Sequence, residues 1–177
     1  IYISRDGNPQ ADGTTKANRV PIETGMSIFN GIASKENVKV YFRRDQDKAH
    51  FQPTPGSTFN LSGFSNVQFL QYRQNSTESP ARPRARLALH RSIGTTQSIF
   101  TFNTATKYVS VSGLEIYIDG ADRALTGRVA DILGRNVAFR DLKLTKIHYG
   151  FEIGKGFAQN LPSSSYLQAE GVLLQNI

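Results

Sequence analysis

The sequence predicts an all-β fold, a parallel β-helix solenoid of about four to five coils with a short N-terminal capping helix. Three observations carry this. A nine-residue phrase recurs as NVQFLQYRQ (66–74), YVSVSGLEI (108–116), NVAFRDLKL (136–144) and YLQAEGVLL (166–174), its anchors Val67, Val109, Val137 and Leu167 lying 42, 28 and 30 residues apart. Uneven spacing suits a solenoid, whose insertions loop out without disturbing the stack. Within a phrase Val109 and Val111 alternate with Ser110 and Ser112, Gly113 breaks the strand, and Leu114 and Ile116 resume the alternation around Glu115. Finally, no helical periodicity follows the first quarter of the chain, and Gly, Asn, Phe and Tyr supply turns and strand residues.

Each element follows in order. IYIS (1–4) reads as a short strand, and RDGNPQADGTT after it as loop, from its Asp-Gly and Asn-Pro signals. Ile22, Met26, Ile28, Phe29 and Ile32 recur at helical spacing behind Pro21, predicting a helix over 21–34 that carries two internal glycines. VKVYFRR (38–44) alternates through Val38, Val40 and Phe42 as the first coil strand. Each phrase then supplies two strands meeting at a bend, broken at Gly113, Asp141 and Gly171 in turn. IFTF (99–102), VADIL (129–133) and YGFEI (149–153) are the candidates for a third strand per coil. The organisation expected is one domain over 1–177, with strand, loop and helix in 1–37 and coils in 38–177.

Stacking the phrases makes equivalent outward positions neighbours about 4.8 Å apart. That sets Glu115 beside Lys143 and Arg140 beside Glu170, opposite-charge pairs worth about 0.2–1 kcal/mol each at an exposed site.

Composition narrows the chemistry. Without Cys there is no disulfide, thiolate metal site or cysteine nucleophile. No apolar run approaches membrane-spanning length. Lys and Arg number 21 against 14 Asp and Glu, a net charge of +7, which favours polyanionic partners or a solvated basic surface. The chain opens on Ile1 without a Met and stops at VLLQNI, in mid-coil; a fragment of a longer protein is expected, with self-assembly through the uncapped last coil as second choice.

IYISRDGNPQADGTT, a helix and VKVYFRR together resemble the entry to secreted right-handed parallel β-helix proteins of the pectate-lyase-like superfamily. NVAFRDLKLTKIHYGFEIG resembles their repeating coil. The resemblance covers most of the chain and implies a right-handed solenoid outside the cell. The superfamily holds lyases, hydrolases, epimerases, tailspikes and adhesins, so fold alone does not choose the chemistry.

Lyases of this fold abstract the proton α to a uronate carboxylate with a Lys or Arg base, often aided by Ca²⁺; hydrolases use paired carboxylates. In IDGADRALTGR, Asp119 and Asp122 are the candidate Ca²⁺ ligands; the alternative is a solvated Asp-Gly turn, since DGAD lacks the alternating acids of a calcium loop. Arg123, Lys146 and His148 are the candidate catalytic residues, His148 because imidazole titrates near neutrality. Asp131, Lys143 and Glu152 lie nearby in sequence.

SPARPRARLALHRS (79–92) is the densest basic cluster. Arg82, Arg84, Arg86 and Arg91, with Arg128 and Tyr117, are the candidate substrate-binding residues: alternate arginines share a face of an extended segment and can pair carboxylates bidentately. The alternative is a solvated loop with Leu87 and Leu89 packed inward. Tyr108, Tyr117, Tyr149 and Tyr166 can stack on sugars or pack inside. Aromatics do not interleave with the arginines, so a nucleic-acid platform is not expected. His50, His90 and His148 lack zinc spacing, and nucleophile-elbow, phosphate-loop and dinucleotide motifs are missing from the sequence. The expected function is binding and cleavage of an acidic polysaccharide, by β-elimination before hydrolysis. The rival is a non-catalytic adhesin, tailspike-like or filament-forming β-helix.

Overall fold

The computed structural model describes residues 1–44, 49–51, 57–74, 84–89, 97–118, 127–145, 147, 149–153, 173–175 and 177. Among these are one helix, α1 (Ile22–Asn30), and fourteen strands. The strands are β1 (Tyr2–Ile3), β2 (Lys39–Arg43), β3 (His50–Phe51), β4 (Phe59–Asn60), β5 (Ser65–Tyr72), β6 (Ala85–Leu89), β7 (Gln97–Thr101) and β8 (Lys107–Ser112). They continue as β9 (Leu114–Ile118), β10 (Gly127–Ile132), β11 (Arg135–Arg140), β12 (Lys143–Thr145), β13 (Tyr149–Ile153) and β14 (Leu173–Gln175).

They form three sheets ordered β1-β2-β5-β8-β11-β14, β3-β6-β9-β12 and β4-β7-β10-β13. Every pairing within them is parallel. The chain visits the sheets in rotation, so β2–β4, β5–β7, β8–β10 and β11–β13 make four successive rungs. The fold is therefore mostly β, with the parallel stacking of a solenoid. Val67 pairs with Val109 and Val109 with Val137, the register the repeated phrase predicts. The three expected third strands fall in β7, β10 and β13 of one sheet.

The core lies between the sheets. Val40, Phe69, Val111 and Phe139 form one inward column. Phe59, Phe100, Ala130 and Phe151 form a second. Large and small residues offset one another; ring contacts such as Phe69–Phe100 at 4.8 Å and Phe139–Phe151 at 4.7 Å join the sheets within a rung, and Phe59–Phe69 at 5.2 Å joins successive rungs. Each fully buried Phe contributes about 1.5–3 kcal/mol of hydrophobic stabilisation. The helix covers one end of this core through Phe29, stacked on Phe64 at 4.5 Å.

Two expectations are corrected. The helix ends at Asn30, because Gly31 takes the C-cap, where it donates to the carbonyl of Ser27; Pro21 is the N-cap, with ψ 163°. Gly25 has a packing reason: a Cβ there would lie 2.6 Å from Ile3 Cδ1, so the glycine lets α1 settle on β1. In the last repeat Leu173–Gln175 pairs with β11, so Arg140 stands opposite Gln175 where Glu170 was expected, and Glu170 lies outside the described residues. Both YLQA and GVLL alternate, and a period-2 pattern does not choose between them.

Two corners flank the long sheet. At its entry Asn37, Asn66, Tyr108 and Asn136 have φ between 54° and 59°, and Asn66 Nδ2 donates to Asn37 Oδ1. At its exit Gly113 (φ 71°) and Asp141 (φ 52°) occupy two of the three predicted break positions, and the third, Gly171, lies outside the described residues. Asn and Asp tolerate this left-handed region, so the chain turns there at low cost.

Candidate functional site

Alternation in β6, β9 and β12 sends Leu87, Ile116 and Leu144 inward and sets Arg86, Glu115 and Lys143 in register on the outer face. Lys143 Nζ lies 3.3 Å from Glu115 Oε1, the predicted pair. Arg86 Nε lies 3.5 Å from Glu115 Oε2, within ion-pair range but not aligned as a hydrogen bond. The Arg86 guanidinium also sits 4.7 Å from the centroid of the Tyr117 ring. It is thus shared between a carboxylate and a π face, which fixes its orientation. Arg84, just before β6, donates from Nε to the carbonyl oxygen of Asp141 at 3.0 Å. With Nε so used, end-on pairing through the terminal nitrogens is its geometry for an anion.

One outer face therefore carries Arg86 and Lys143 on Glu115, Tyr117 against Arg86, and Arg84 two positions before Arg86. Lys143 is the most open of them, its side chain 58% exposed. Chemically this face can hold a carboxylate-bearing chain by charge and ring contact. The inward alternative for 79–92 is also realised: Ala85, Leu87 and Leu89 are buried, so the segment is both a core strand and a bearer of cations. What looks in sequence like a long excursion between phrases carries strands of the other two sheets.

Of the other expected site residues, Arg128 lies in β10, opposite Ser98 and Tyr149, with its side chain outside the description. Arg82, Arg91, Asp119, Asp122, Arg123, Lys146 and His148 lie outside the described residues. Among the described residues no three His, Asp or Glu side chains come together as a metal cage, and no helix is long and apolar enough to cross a membrane.

Two polar features escaped the sequence reading. Asp6, in the RDG turn, accepts from Arg19 Nη2 at 3.1 Å and from Arg43 Nη1 at 3.2 Å, and Ser4 Oγ donates to it. The Arg19 hydrogen bond above all, with help from Ser4 and Arg43 and against a counteracting effect of burial, holds its carboxyl well below the usual carboxylate range. The cluster ties the N-terminal loop to β2.

The second is His50, which occupies the inward column continued by Leu87, Ile116 and Leu144. Its Nε2 lies 3.0 Å from the Arg43 carbonyl oxygen, Nδ1 has no hydrogen-bond partner among the described residues, and burial pushes its pKa down to about 4 despite that carbonyl contact. A neutral imidazole donating from Nε2 fits this setting. Nothing in AHF announces a core strand, because a two-residue strand is too short for alternation to show.

Comparison with family models, curated proteins and solved structures returned no match.

Proposed function

We propose that the chain is a right-handed parallel β-helix of the pectate-lyase-like superfamily, acting outside the cell on an acidic polysaccharide. The observation that carries this reading is the outer face on which Arg86 and Lys143 share a single Glu115, the Tyr117 ring lies against Arg86, and Arg84 stands two positions before Arg86, bonded to the Asp141 carbonyl. Cations spaced by strand register match carboxylates repeated along a uronate chain, and the ring adds apolar contact. The rotation of parallel strands through three sheets and the left-handed Asn corners support the solenoid part of the reading.

The reaction we infer is β-elimination. Arg123 or Lys146 is the base that removes the proton α to the uronate carboxylate, with His148 as a further proton-transfer group. Hard carboxylate oxygens from Asp119 and Asp122 suit Ca²⁺, which when bound would neutralise a substrate carboxylate. Arg82, Arg91 and Arg128 are the further cations this reading assigns to substrate binding. Hydrolysis is the next choice.

A second reading, a non-catalytic β-helix, is favoured by the mutual pairing of Arg86, Glu115 and Lys143, which links three rungs and stiffens the stack. The separating experiment mixes the protein with pectate, alginate and glycosaminoglycans, with and without Ca²⁺, and follows absorbance near about 235 nm, where unsaturated uronates formed after proton abstraction absorb. A rise establishes the lyase. Reducing ends on a flat trace mean a hydrolase, and neither signal, with binding retained, selects the non-catalytic protein.

A further inference from the structure

At the entry corner of the long sheet, three of the four equivalent left-handed positions are Asn37, Asn66 and Asn136. The fourth is Tyr108, with φ 56° and 57% exposed, the most open large side chain among the described hydrophobic and aromatic residues. A tyrosine gains nothing from that backbone conformation and carries no amide to continue the Asn37–Asn66 hydrogen bond. Among the described residues its ring is not part of the core cluster. A strained backbone bearing an exposed ring is the pattern of a residue kept for contact with a ligand.

The neighbours give the ligand its sign. Lys107, the residue before Tyr108, pairs in register with Arg135 on the next rung and with Ser65 on the previous one, and both cations are exposed. Among the described residues of this column the carboxylate is Glu36, which bridges to Ser65 and so stands two rungs, about 10 Å, from Lys107. Tyr108 itself is flanked by the exposed amides of Asn66 and Asn136. A flat apolar face, two cations and two amides within about one rung of each other suit a sugar ring that carries a carboxylate. Such a ring offers C–H groups to the aromatic face, an anion to Lys107 and Arg135, and hydroxyls to the amides.

We infer that Tyr108, with Lys107 and Arg135, forms a stacking subsite for one uronate residue of the polysaccharide, separate from the Arg84–Lys143 face and at the opposite end of β8. The inference rests on the acidic-polysaccharide reading and goes beyond it by naming a subsite.

The test sets stability against binding. The wild-type chain, Tyr108→Asn, Tyr108→Phe and the double variant Arg86→Ala/Lys143→Ala are titrated with a galacturonate oligomer, and their melting temperatures are measured. Tyr108→Asn relieves the corner and is expected to raise Tm by about 2–4 °C. The same variant should weaken binding about tenfold, while Tyr108→Phe, which keeps the ring, stays within a factor of about three of wild type. Tyr108→Asn binding as tightly as wild type overturns the subsite. If the double variant alone loses affinity, the polysaccharide reading stands and the subsite falls. If wild type fails to bind this oligomer, alginate fragments or sulfated oligosaccharides, the polysaccharide reading falls and takes the subsite with it.

Discussion

The first and third rungs share one plan but bury different things. The third closes around Val111, Ile116 and Ala130, all apolar. The first sets His50 where Ile116 would stand, covers its open side with the helix through Phe29, and anchors its loop with the exposed Asp6–Arg19–Arg43 cluster. The third rung is held chiefly by apolar burial, its charged pairs lying on the outer face. The first carries titratable groups whose protonation couples to folding, so acid should act on the N-terminal end of the stack first.

The largest effect expected is from His50. Its folded pKa of about 4 lies below the ordinary value of 6.5, so between those pH values the unfolded chain binds the extra proton. Stability is therefore unaffected by this group above about pH 6.5 and falls by about 3 kcal/mol as pH drops to 4. Urea unfolding at pH 7, 5.5 and 4.5 should show this slope, and His50→Leu, the residue type found at the second and fourth rungs, should flatten it. An unchanged slope in that variant would mean that the first rung is not where acid acts.

Next comes a change in the third rung. Gly113 has φ 71°, and a Cβ there would lie 2.6 Å from Gln71 Nε2, whose amide also accepts through Oε1 from the Ala85 nitrogen at 3.2 Å. Gly113→Ala is expected to cost about 2 kcal/mol from backbone strain and the displaced amide, equally at pH 7 and 4.5. A pH-dependent loss would blur the contrast between the rungs.

Smaller again is Asp6→Asn. The group is half exposed, so after solvent screening its pairs with Arg19 and Arg43 are worth about 1 kcal/mol. Its depressed pKa means that this stability is present above about pH 4 and is lost only as pH falls further, below the His50 window. The gap between wild type and variant in urea unfolding should be somewhat smaller at pH 3 than at pH 7, and should close only as pH falls through the lower folded-state value. The least effect is expected from Glu115→Gln, about 0.5 kcal/mol in low salt and less in high salt, since Arg86 and Lys143 lose a partner at the surface. The same variant should tighten binding of a uronate oligomer by removing the competing carboxylate, and weaker binding would contradict the role given to the cationic face.

The repeated phrase itself determined a good deal. Its anchors dictated the pairing of β5, β8 and β11, the inward columns, the bends at Gly113 and Asp141, and the Glu115–Lys143 contact, because a strand's period of two and a solenoid's rung spacing leave little choice once copies are aligned. The same phrase showed Tyr108 standing where Asn66 and Asn136 stand, a signal visible in the letters whose meaning came only with the left-handed φ. Tertiary structure alone decided the rest. It set Leu173–Gln175 beside β11, drew His50 into the core, joined Asp6 to Arg43 across 37 residues and divided Arg86 between Glu115 and Tyr117. Local pattern fixes which way a side chain points. Which neighbour it then meets depends on strands distant in sequence, brought together by burying the phenylalanine columns, and that partnership is a property of the packed stack.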